Sequence, residues 1–219
     1  MKKILIVFMM LSFSAQAEDW SLSGKLSTLG ISMEIGRPIG GHLSGRLSAN
    51  LFSYDDTITE SGIDYDVSLD LKSAGLLLDW HPGNSAFRLT VGGYINGNSL
   101  GLDAKAIAGT YNINGTNYTV NDVGSLTGNI DYKSTAPYLG IGWGNASHGG
   151  KGWGMSWDLG VLYQGSPGVG LDVTCSPSLS TAQCTTLTND VTAESQALRS
   201  DIENTKWFPV FSLGVLYRF

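Results

Sequence analysis

The sequence has little charge, since only 15% of its 219 residues are Asp, Glu, Lys or Arg, whereas soluble proteins usually carry about a quarter. Beyond its first 17 residues it also lacks any run of about 18 consecutive apolar residues, which argues against a transmembrane helix. Glycine, at 29 residues, and aromatic residues, at 10%, are plentiful. This composition suits extended segments whose side chains alternately face lipid and a polar interior.

Cysteine and histidine are scarce, with two and three residues. Cys175 and Cys184 lie nine positions apart, and in an exported chain such a pair predicts a local disulfide. Two thiolates make a poor zinc site, and the nearest histidine in sequence is His148. We therefore expect no metal and no cofactor.

Residues 1–17 have the pattern of a secretory signal peptide. Two lysines precede an apolar segment over 4–13 that is too short to span a bilayer, and Ala15-Gln-Ala17 is a small-residue cleavage site. An N-terminal anchor helix is the alternative. Without the two lysines, 11 basic residues oppose 19 acidic ones, so we expect no nucleic-acid partner, which would require a basic face.

A period of two runs through most of residues 18–219, which we expect to form one domain. In the last segment Phe211, Leu213 and Val215 share one face, and Ser212 and Gly214 the other. Alternating segments of about ten residues are typical of transmembrane β-strands. The sequence predicts an all-β fold, an eight-stranded antiparallel transmembrane β-barrel, with strands near 19–27, 30–37, 42–55, 63–80, 86–98, 125–144, 152–165 and 205–219.

Changes of phase interrupt this alternation at three places. Near Thr28 a bulge and a tight turn are alternatives, and we favour the turn because single-chain bacterial barrels have an even number of strands. Near Ser73 and at Pro137 we expect bulges. With this strand count, the short connections 38–41, 81–85 and 145–151 share the periplasmic end with the terminal Tyr217 and Phe219, the expected assembly signal.

The longer connections then lie outside the cell, at about 56–62, 99–124 and 166–204. In the second, Asn114-Gly115 predicts a hairpin turn. In the third, apolar residues at helical spacing predict a short amphipathic helix on the barrel mouth. Acidic residues outnumber basic ones in these loops, and a negative mouth raises the local concentration of cations.

The alternation directs twelve charged side chains into the lumen, six basic and six acidic. Because an unpaired charge there would cost several kcal/mol, the equal numbers predict a paired network. An eight-stranded barrel is just wide enough for its own side chains, so we expect a plugged interior, with a narrow path if the network rearranges. The twelve are Lys25, Glu34, Arg46, Asp64, Asp66, Asp70, Lys72, Arg88, Asp131, Lys133, Asp158 and Arg218. Asp64, Asp66, Asp70 and Lys72 are the expected path lining.

Two further groups of residues bear on function. Near predicted strand ends, aromatic side chains predict interfacial girdles, with ligand stacking an alternative for Trp207; they are Trp80, Tyr138, Trp143, Trp153 and Trp207. The histidines, His42, His81 and His148, fall in predicted periplasmic turns, away from any active site at the outer leaflet. We therefore expect no enzyme.

Nearly the whole of residues 18–219 resembles a known family, most clearly from residue 125 onward. The segments that carry the resemblance are Asp131-Tyr-Lys-Ser-Thr-Ala-Pro-Tyr-Leu-Gly-Ile-Gly142, Gly152-Trp-Gly, Asp158-Leu-Gly-Val-Leu-Tyr-Gln-Gly-Ser-Pro167 and Trp207-Phe-Pro-Val-Phe-Ser-Leu-Gly-Val-Leu-Tyr-Arg-Phe219. They are similar to proteobacterial outer-membrane barrels of the CarO type, the carbapenem-associated proteins for which ornithine uptake has been suggested. The resemblance implies an eight-stranded barrel and slow passage of small basic solutes. The cysteine-bearing loop departs from it.

Two functional hypotheses follow from the residues and the resemblance. The first is a porin-like outer-membrane protein that slowly admits small cationic solutes such as basic amino acids. The alternative is a closed structural or surface-interaction barrel without an open pore. Both predict outer-membrane lipid, lipopolysaccharide and the barrel-assembly machinery as partners.

Overall fold

A computed structural model describes residues 20–60, 63–106, 109–144 and 151–219. The predicted signal peptide, 1–17, lies outside these residues. The strands are β1 Ser21–Ser27, β2 Gly30–Gly40, β3 Leu43–Glu60, β4 Ile63–Trp80, β5 Phe87–Asn96, β6 Ser99–Ala106, β7 Thr110–Ile113, β8 Thr116–Thr119, β9 Val123–Asp131, β10 Thr135–Trp143, β11 Gly152–Tyr163, β12 Gly168–Cys175 and β13 Trp207–Arg218. Among these residues, one α-helix, α1, spans Thr181–Ile202, and Pro82–Asn84 form a single 3₁₀ turn. Among the described helices, none has the length and hydropathy needed to cross a bilayer.

Eight strands close into an antiparallel barrel in the order β1, β2, β3, β4, β5, β10, β11 and β13. Closure is made by β13 and β1, in which Ser21 lies opposite Arg218 and Ser27 opposite Ser212. A closed barrel satisfies its backbone hydrogen bonds between strands, as a lipid environment requires. The predicted eight-stranded antiparallel barrel is confirmed.

The first hairpin closes with a tight turn at Thr28-Leu29, as the strand count requires. Ser27 pairs with Gly30, whose φ is +103°. A side chain at Gly30 would also strike the backbone of Leu51 on the next strand. Glycine is therefore needed here for both the turn conformation and the close approach of β3.

The barrel wall has an apolar outer face and a mostly polar inner face. On β13, Phe211, Leu213 and Val215 are exposed, whereas Val210 and Ser212 are buried. Trp80, Trp143, Trp153 and Trp207 lie on the outer surface with about half or more of each side chain exposed, as a lipid-facing aromatic belt requires. Tyr138 is an exception to the predicted girdle, because its phase on β10 directs it into the lumen, where it is 5% exposed.

Five strands continue beyond one side of the barrel as a second sheet, which we call the extension. The far half of β4, residues 63–70, pairs with β6 instead of β5, and β9 and β12 complete the sheet in the order β3, β4, β6, β9, β12. Short interruptions at 97–98, 132–134 and 164–167 separate these strands from β5, β10 and β11. Much of the predicted loop 56–62 is therefore strand, and the predicted strand 125–144 is divided in two.

The faces of the sheet exchange polarity where the barrel gives way to the extension. Pairing of β3 with β4 is continuous from Leu43 and Trp80 to Glu60 and Ile63, so the bulge predicted near Ser73 is absent. The one predicted at Pro137 is also absent, because β10 pairs without interruption there. The same row of β4 that carries buried Ser73 and Asp79 in the lumen carries apolar residues on the inner face of the extension. The polar row faces outward on the extension, as expected of a surface that meets water instead of lipid.

A second hydrophobic core lies on the inner face of the extension. Helix α1 begins with a capping box between Ser180 and Gln183 and buries Leu187 and Val191. The β7–β8 hairpin packs against them, and its turn is the predicted Asn114-Gly115, both with positive φ. The helix lies along β12, and its Ser195 Oγ donates to the Val169 carbonyl of that strand at 3.2 Å. It therefore covers β12, which is an edge strand of the sheet. The predicted helix thus packs on the extension.

Candidate functional site: the lumen cluster

Six charged side chains meet inside the barrel, and we call them the lumen cluster. They come from six strands, and each is between 1% and 6% exposed. Three are basic and three are acidic, so the cluster is neutral as a whole. Its members are Lys25 on β1, Glu34 on β2, Arg46 on β3, Asp79 on β4, Arg88 on β5 and Asp158 on β11.

Asp158 is the centre of this cluster. Its Oδ2 accepts from Lys25 Nζ at 2.6 Å and from Ser212 Oγ at 3.0 Å. Its Oδ1 accepts from Arg88 Nη2 at 2.6 Å and from Arg46 Nη2 at 3.2 Å. One carboxylate thus receives hydrogen bonds from three cationic side chains, which strengthens each bond relative to a neutral pair.

Arg46 connects the opposite part of the cluster. Its guanidinium donates to both oxygens of Asp79, at 2.5 and 2.9 Å, and to Glu34 Oε2 at 2.8 Å. Because Arg46 on β3 also reaches Asp158 on β11, the cluster bridges the lumen from wall to wall. Glu34 Oε2 also accepts a hydrogen bond from Lys25 Nζ at 2.6 Å. Every charged side chain of the cluster therefore contacts at least one of opposite charge.

A layer of mainly apolar side chains closes the lumen toward the β1–β2 turn. Leu29 of that turn is 1% exposed, and it packs with Leu77, Leu162, Val210 and others in one buried cluster. The rings of Tyr94 and Tyr138 fill the same layer, with their centroids 5.8 Å apart in an edge-on arrangement. Two successive layers, one charged and one largely apolar, therefore obstruct the barrel.

The structure brings together five of the twelve predicted lumen residues: Lys25, Glu34, Arg46, Arg88 and Asp158. Asp79 was not among the predicted residues. The alternation of Leu76, Leu78 and Trp80, which face outward, nevertheless places Asp79 on the inward face of the same strand. It is 1% exposed and accepts from Thr90 Oγ1 at 2.6 Å.

The four residues expected to line a path are not in the lumen. Asp64, Asp66 and Asp70 lie on the outer face of the extension, where Thr59, Thr57 and Ser53 of β3 donate hydrogen bonds to them at 2.7, 2.7 and 2.5 Å. Lys72 shares that face, with its Nζ 3.0 Å from Asp70 Oδ1. The expectation failed because it assumed a bulge near Ser73 that the structure lacks.

The remaining three predicted residues also stand apart from the cluster. Asp131 is exposed on the outer face of the extension, where Asn129 Nδ2 donates to it at 2.9 Å. Lys133 is exposed in the interruption between β9 and β10. Arg218, the last residue of β13, is half-buried at the end of the barrel where the chain terminates.

The histidines do not form a recognisable active site in the described part of the chain. His81 is 1% exposed, with its Nε2 2.9 Å from Ser44 Oγ, and His42 lies in the β2–β3 turn. His148 lies outside the described residues. Within those residues no group of three or more His, Cys, Asp or Glu side chains is placed to hold a metal ion.

Solved structures with the same architecture support the resemblance seen in the sequence. Acinetobacter baumannii CarO superposes with a TM-score of 0.57 at 22% identity, over 91% of this chain and 97% of that chain. The chain has the fold of the CarO-type outer-membrane barrels. A. baumannii CarO2 gives a TM-score of 0.58, also at 22% identity, over 91% of this chain and 98% of that chain. No family model matches the sequence, and no curated protein matches it.

The barrel carries a disulfide in the segment where the sequence departs from the resemblance. Cys175 ends β12 and is bonded to Cys184 in the first turn of α1, as the spacing predicted. The bond joins the extension sheet to the helix that covers its inner face.

Proposed function

We propose that this CarO-type barrel resides in the outer membrane with a closed lumen, and that its external extension is the part that meets other molecules. The contact of Arg46 with Asp158 carries the proposal, because it joins opposite walls through buried, paired charges. The largely apolar layer around Leu29 and Leu162 supports it, since hydrated solutes would have to cross a dry barrier.

Slow passage of small cationic solutes, such as basic amino acids, is the second candidate. One observation favours it: Glu34 and Asp158 already hold the primary ammonium of Lys25 at 2.6 Å each. An alkylammonium solute carries the same group and so matches these carboxylates. Such passage would require the solute to displace Lys25 and the apolar layer to open.

The orientation that we propose puts the C-terminus at the periplasm. The termini lie together, since the Phe219 backbone N–H donates to the Trp20 carbonyl at 3.0 Å. The extension lies at the opposite end, as expected of the longer external segments of bacterial barrels. In this orientation Tyr217 and Phe219 are available to the assembly machinery, and the extension projects from the outer surface of the membrane. A tag inserted after Asn114 should be labelled on intact cells, whereas labelling only after lysis would reverse the orientation.

Planar-bilayer recording of the purified protein separates the two candidates. A closed barrel should give no unitary current above that of protein-free bilayers. Its proteoliposomes should admit lysine no faster than an uncharged amino acid of similar size. A stable unitary current would contradict the closed barrel, and lysine entry faster than the uncharged control would support the second candidate. A general porin reconstituted in the same bilayers serves as the positive control for current.

A further inference from the structure

The extension has one strand edge that no element of the described residues covers. β2 pairs with β3 only up to the contact of Ile31 with Leu51, and no described strand pairs with residues 52–60 on the side away from β4. The edge at β12, by contrast, lies along α1. An uncovered edge presents free backbone N–H and C=O groups that can pair with another extended chain.

The backbone groups that face this edge can be identified. Thr57 N–H donates at 2.9 Å to Oδ1 of the adjacent Asp56 side chain, and the carbonyl of Leu51 on the same strand points toward Gly30 of β2, the side away from β4. In an antiparallel strand each residue directs its N–H and C=O to the same side, and successive residues alternate. Residues 53, 55, 57 and 59 therefore present their backbone groups to the open edge.

An apolar strip with a single carboxylate lies beside this edge. On the inner face of β3, Phe52, Tyr54 and Ile58 are 41%, 51% and 53% exposed. Asp56 lies between them, and Tyr54 OH donates to its Oδ2 at 2.7 Å. We call Phe52, Tyr54, Asp56 and Ile58 the β3 strip. The second hydrophobic core, formed by α1 and the β7–β8 hairpin, includes Tyr65 of the neighbouring strand β4 but no residue of the strip.

We propose that the β3 strip and its open edge bind an extended peptide segment of another protein, with a basic residue flanked on the same face by apolar residues. The basic side chain would pair with Asp56, and its neighbours two positions away would lie against Tyr54 and Ile58. Added strands take affinity from main-chain hydrogen bonds and specificity from alternate side chains.

Charge argues against the other occupants of this surface. If two copies paired edge to edge, an antiparallel register centred on residue 56 would place Asp56 opposite its own equivalent, and like charges directly opposite are destabilising. Anionic lipopolysaccharide phosphates would meet the same carboxylate and be repelled. A basic segment removes both penalties, so Asp56 selects the partner as well as discouraging self-association.

Fluorescence anisotropy with the full chain in detergent tests the proposal. The probe is a labelled, capped peptide of sequence Val-Thr-Val-Thr-Lys-Thr-Val-Thr-Val, which has the required alternation. Asp56→Asn should weaken binding about threefold to fivefold, as expected for one exposed ion pair. The matched variant Asp55→Asn, which removes the same charge from the outer face, should leave binding unchanged.

A second pair of variants tests the backbone contacts. Thr57→Pro removes an edge N–H and should weaken binding about tenfold or more, whereas Thr57→Val keeps it and should bind like the wild type. A peptide N-methylated at alternate residues should bind poorly, and so should one with Glu in place of Lys.

Three outcomes would overturn the proposal. Equal loss in Asp55→Asn and Asp56→Asn would indicate nonspecific charge attraction, and full binding of the N-methylated peptide would exclude strand addition. Sedimentation of the wild type as a dimer that Thr57→Pro dissociates would assign the edge to a second copy of the chain.

Discussion

Lys25 Nζ lies 2.6 Å from Asp158 Oδ2, joining the first strand of the barrel to β11 inside the lumen. Removing that carboxylate would leave Lys25, Arg46 and Arg88 opposite only Glu34 and Asp79. Because an uncompensated buried charge is expensive, we expect Asp158→Asn to lower the free energy of unfolding by about 3–5 kcal/mol. Urea unfolding in lipid vesicles, followed by the gel-mobility shift of the folded barrel, measures this change.

A matched control and a compensating change sharpen this prediction. The exposed Asp172→Asn should alter stability by less than about 0.5 kcal/mol. Adding Lys25→Met to Asp158→Asn restores neutrality and should recover part of the loss. If the double variant is no more stable than Asp158→Asn alone, the cost does not come from unbalanced charge.

Asp70 and Lys72 should not influence ion permeation through the barrel, since their side chains form an exposed pair on the outer face of the extension. We expect Asp70→Asn and Lys72→Gln to leave the cation-to-anion permeability ratio of any current through the barrel unchanged. Reversal potentials in a salt gradient measure that ratio. A clear change in the permeability ratio of either variant would indicate that these residues do line the ion path.

The misplacement of Asp70 shows what the sequence can and cannot predict. Strand number and five cluster residues followed from alternation, because one environment lies on each side of the wall, and the Asn114-Gly115 turn followed from its residue types. At Ser73 the apolar residues change phase although the backbone does not, since the outer face passes from lipid to water. The hydrophobicity of a residue reflects what surrounds its side chain and not the direction in which that side chain points. A bulge and a change from lipid to water on the outer face therefore give the same sequence pattern.

Gly75 makes room for the ring of Tyr94 inside the lumen, because a Cβ at Gly75 would overlap three atoms of that ring. We expect Gly75→Ala to destabilise the barrel by about 1–3 kcal/mol through overpacking. The change should cost less in a Tyr94→Leu background, where the ring is absent. A double-mutant cycle on unfolding free energies measures the coupling, and additive costs would show that the ring is not the obstacle.

The Cys175–Cys184 disulfide should stabilise the extension and leave the barrel unaffected. It closes a short loop between β12 and α1, for which chain entropy predicts about 2–3 kcal/mol. We expect the Cys175→Ala, Cys184→Ala variant to exchange the amide hydrogens of α1 and the β7–β8 hairpin faster than the wild type. Hydrogen exchange read by mass spectrometry makes this comparison, with β13 as the internal control. Equal acceleration in β13 would mean that the two parts unfold together.

Tyr118 OH donates to Asp190 Oδ2 at 2.5 Å, and Asn114 Nδ2 donates to Oδ1 at 3.1 Å, which fastens the hairpin to α1. The bond from Tyr118, followed by that from Asn114, holds the pKa of Asp190 below its ordinary 3.8. Burial and then the same carboxylate raise the pKa of Tyr118 from 10 to about 12. The contribution of Asp190 to stability is therefore present above its ordinary pKa and disappears as the pH falls through its lowered value.

The contribution of Tyr118 is complete below pH 10 and is lost as the pH rises through about 12. The absorbance titration at the phenolate band, taken as the difference between wild type and Tyr118→Phe, should show one tyrosine with a midpoint near that value. Asp190→Asn should move the midpoint down toward 10, because it removes the neighbouring negative charge while keeping a hydrogen-bond acceptor. A midpoint near 10 in the wild type would mean that Tyr118 is neither shielded nor paired with Asp190, and the hairpin would then be held by its apolar residues alone.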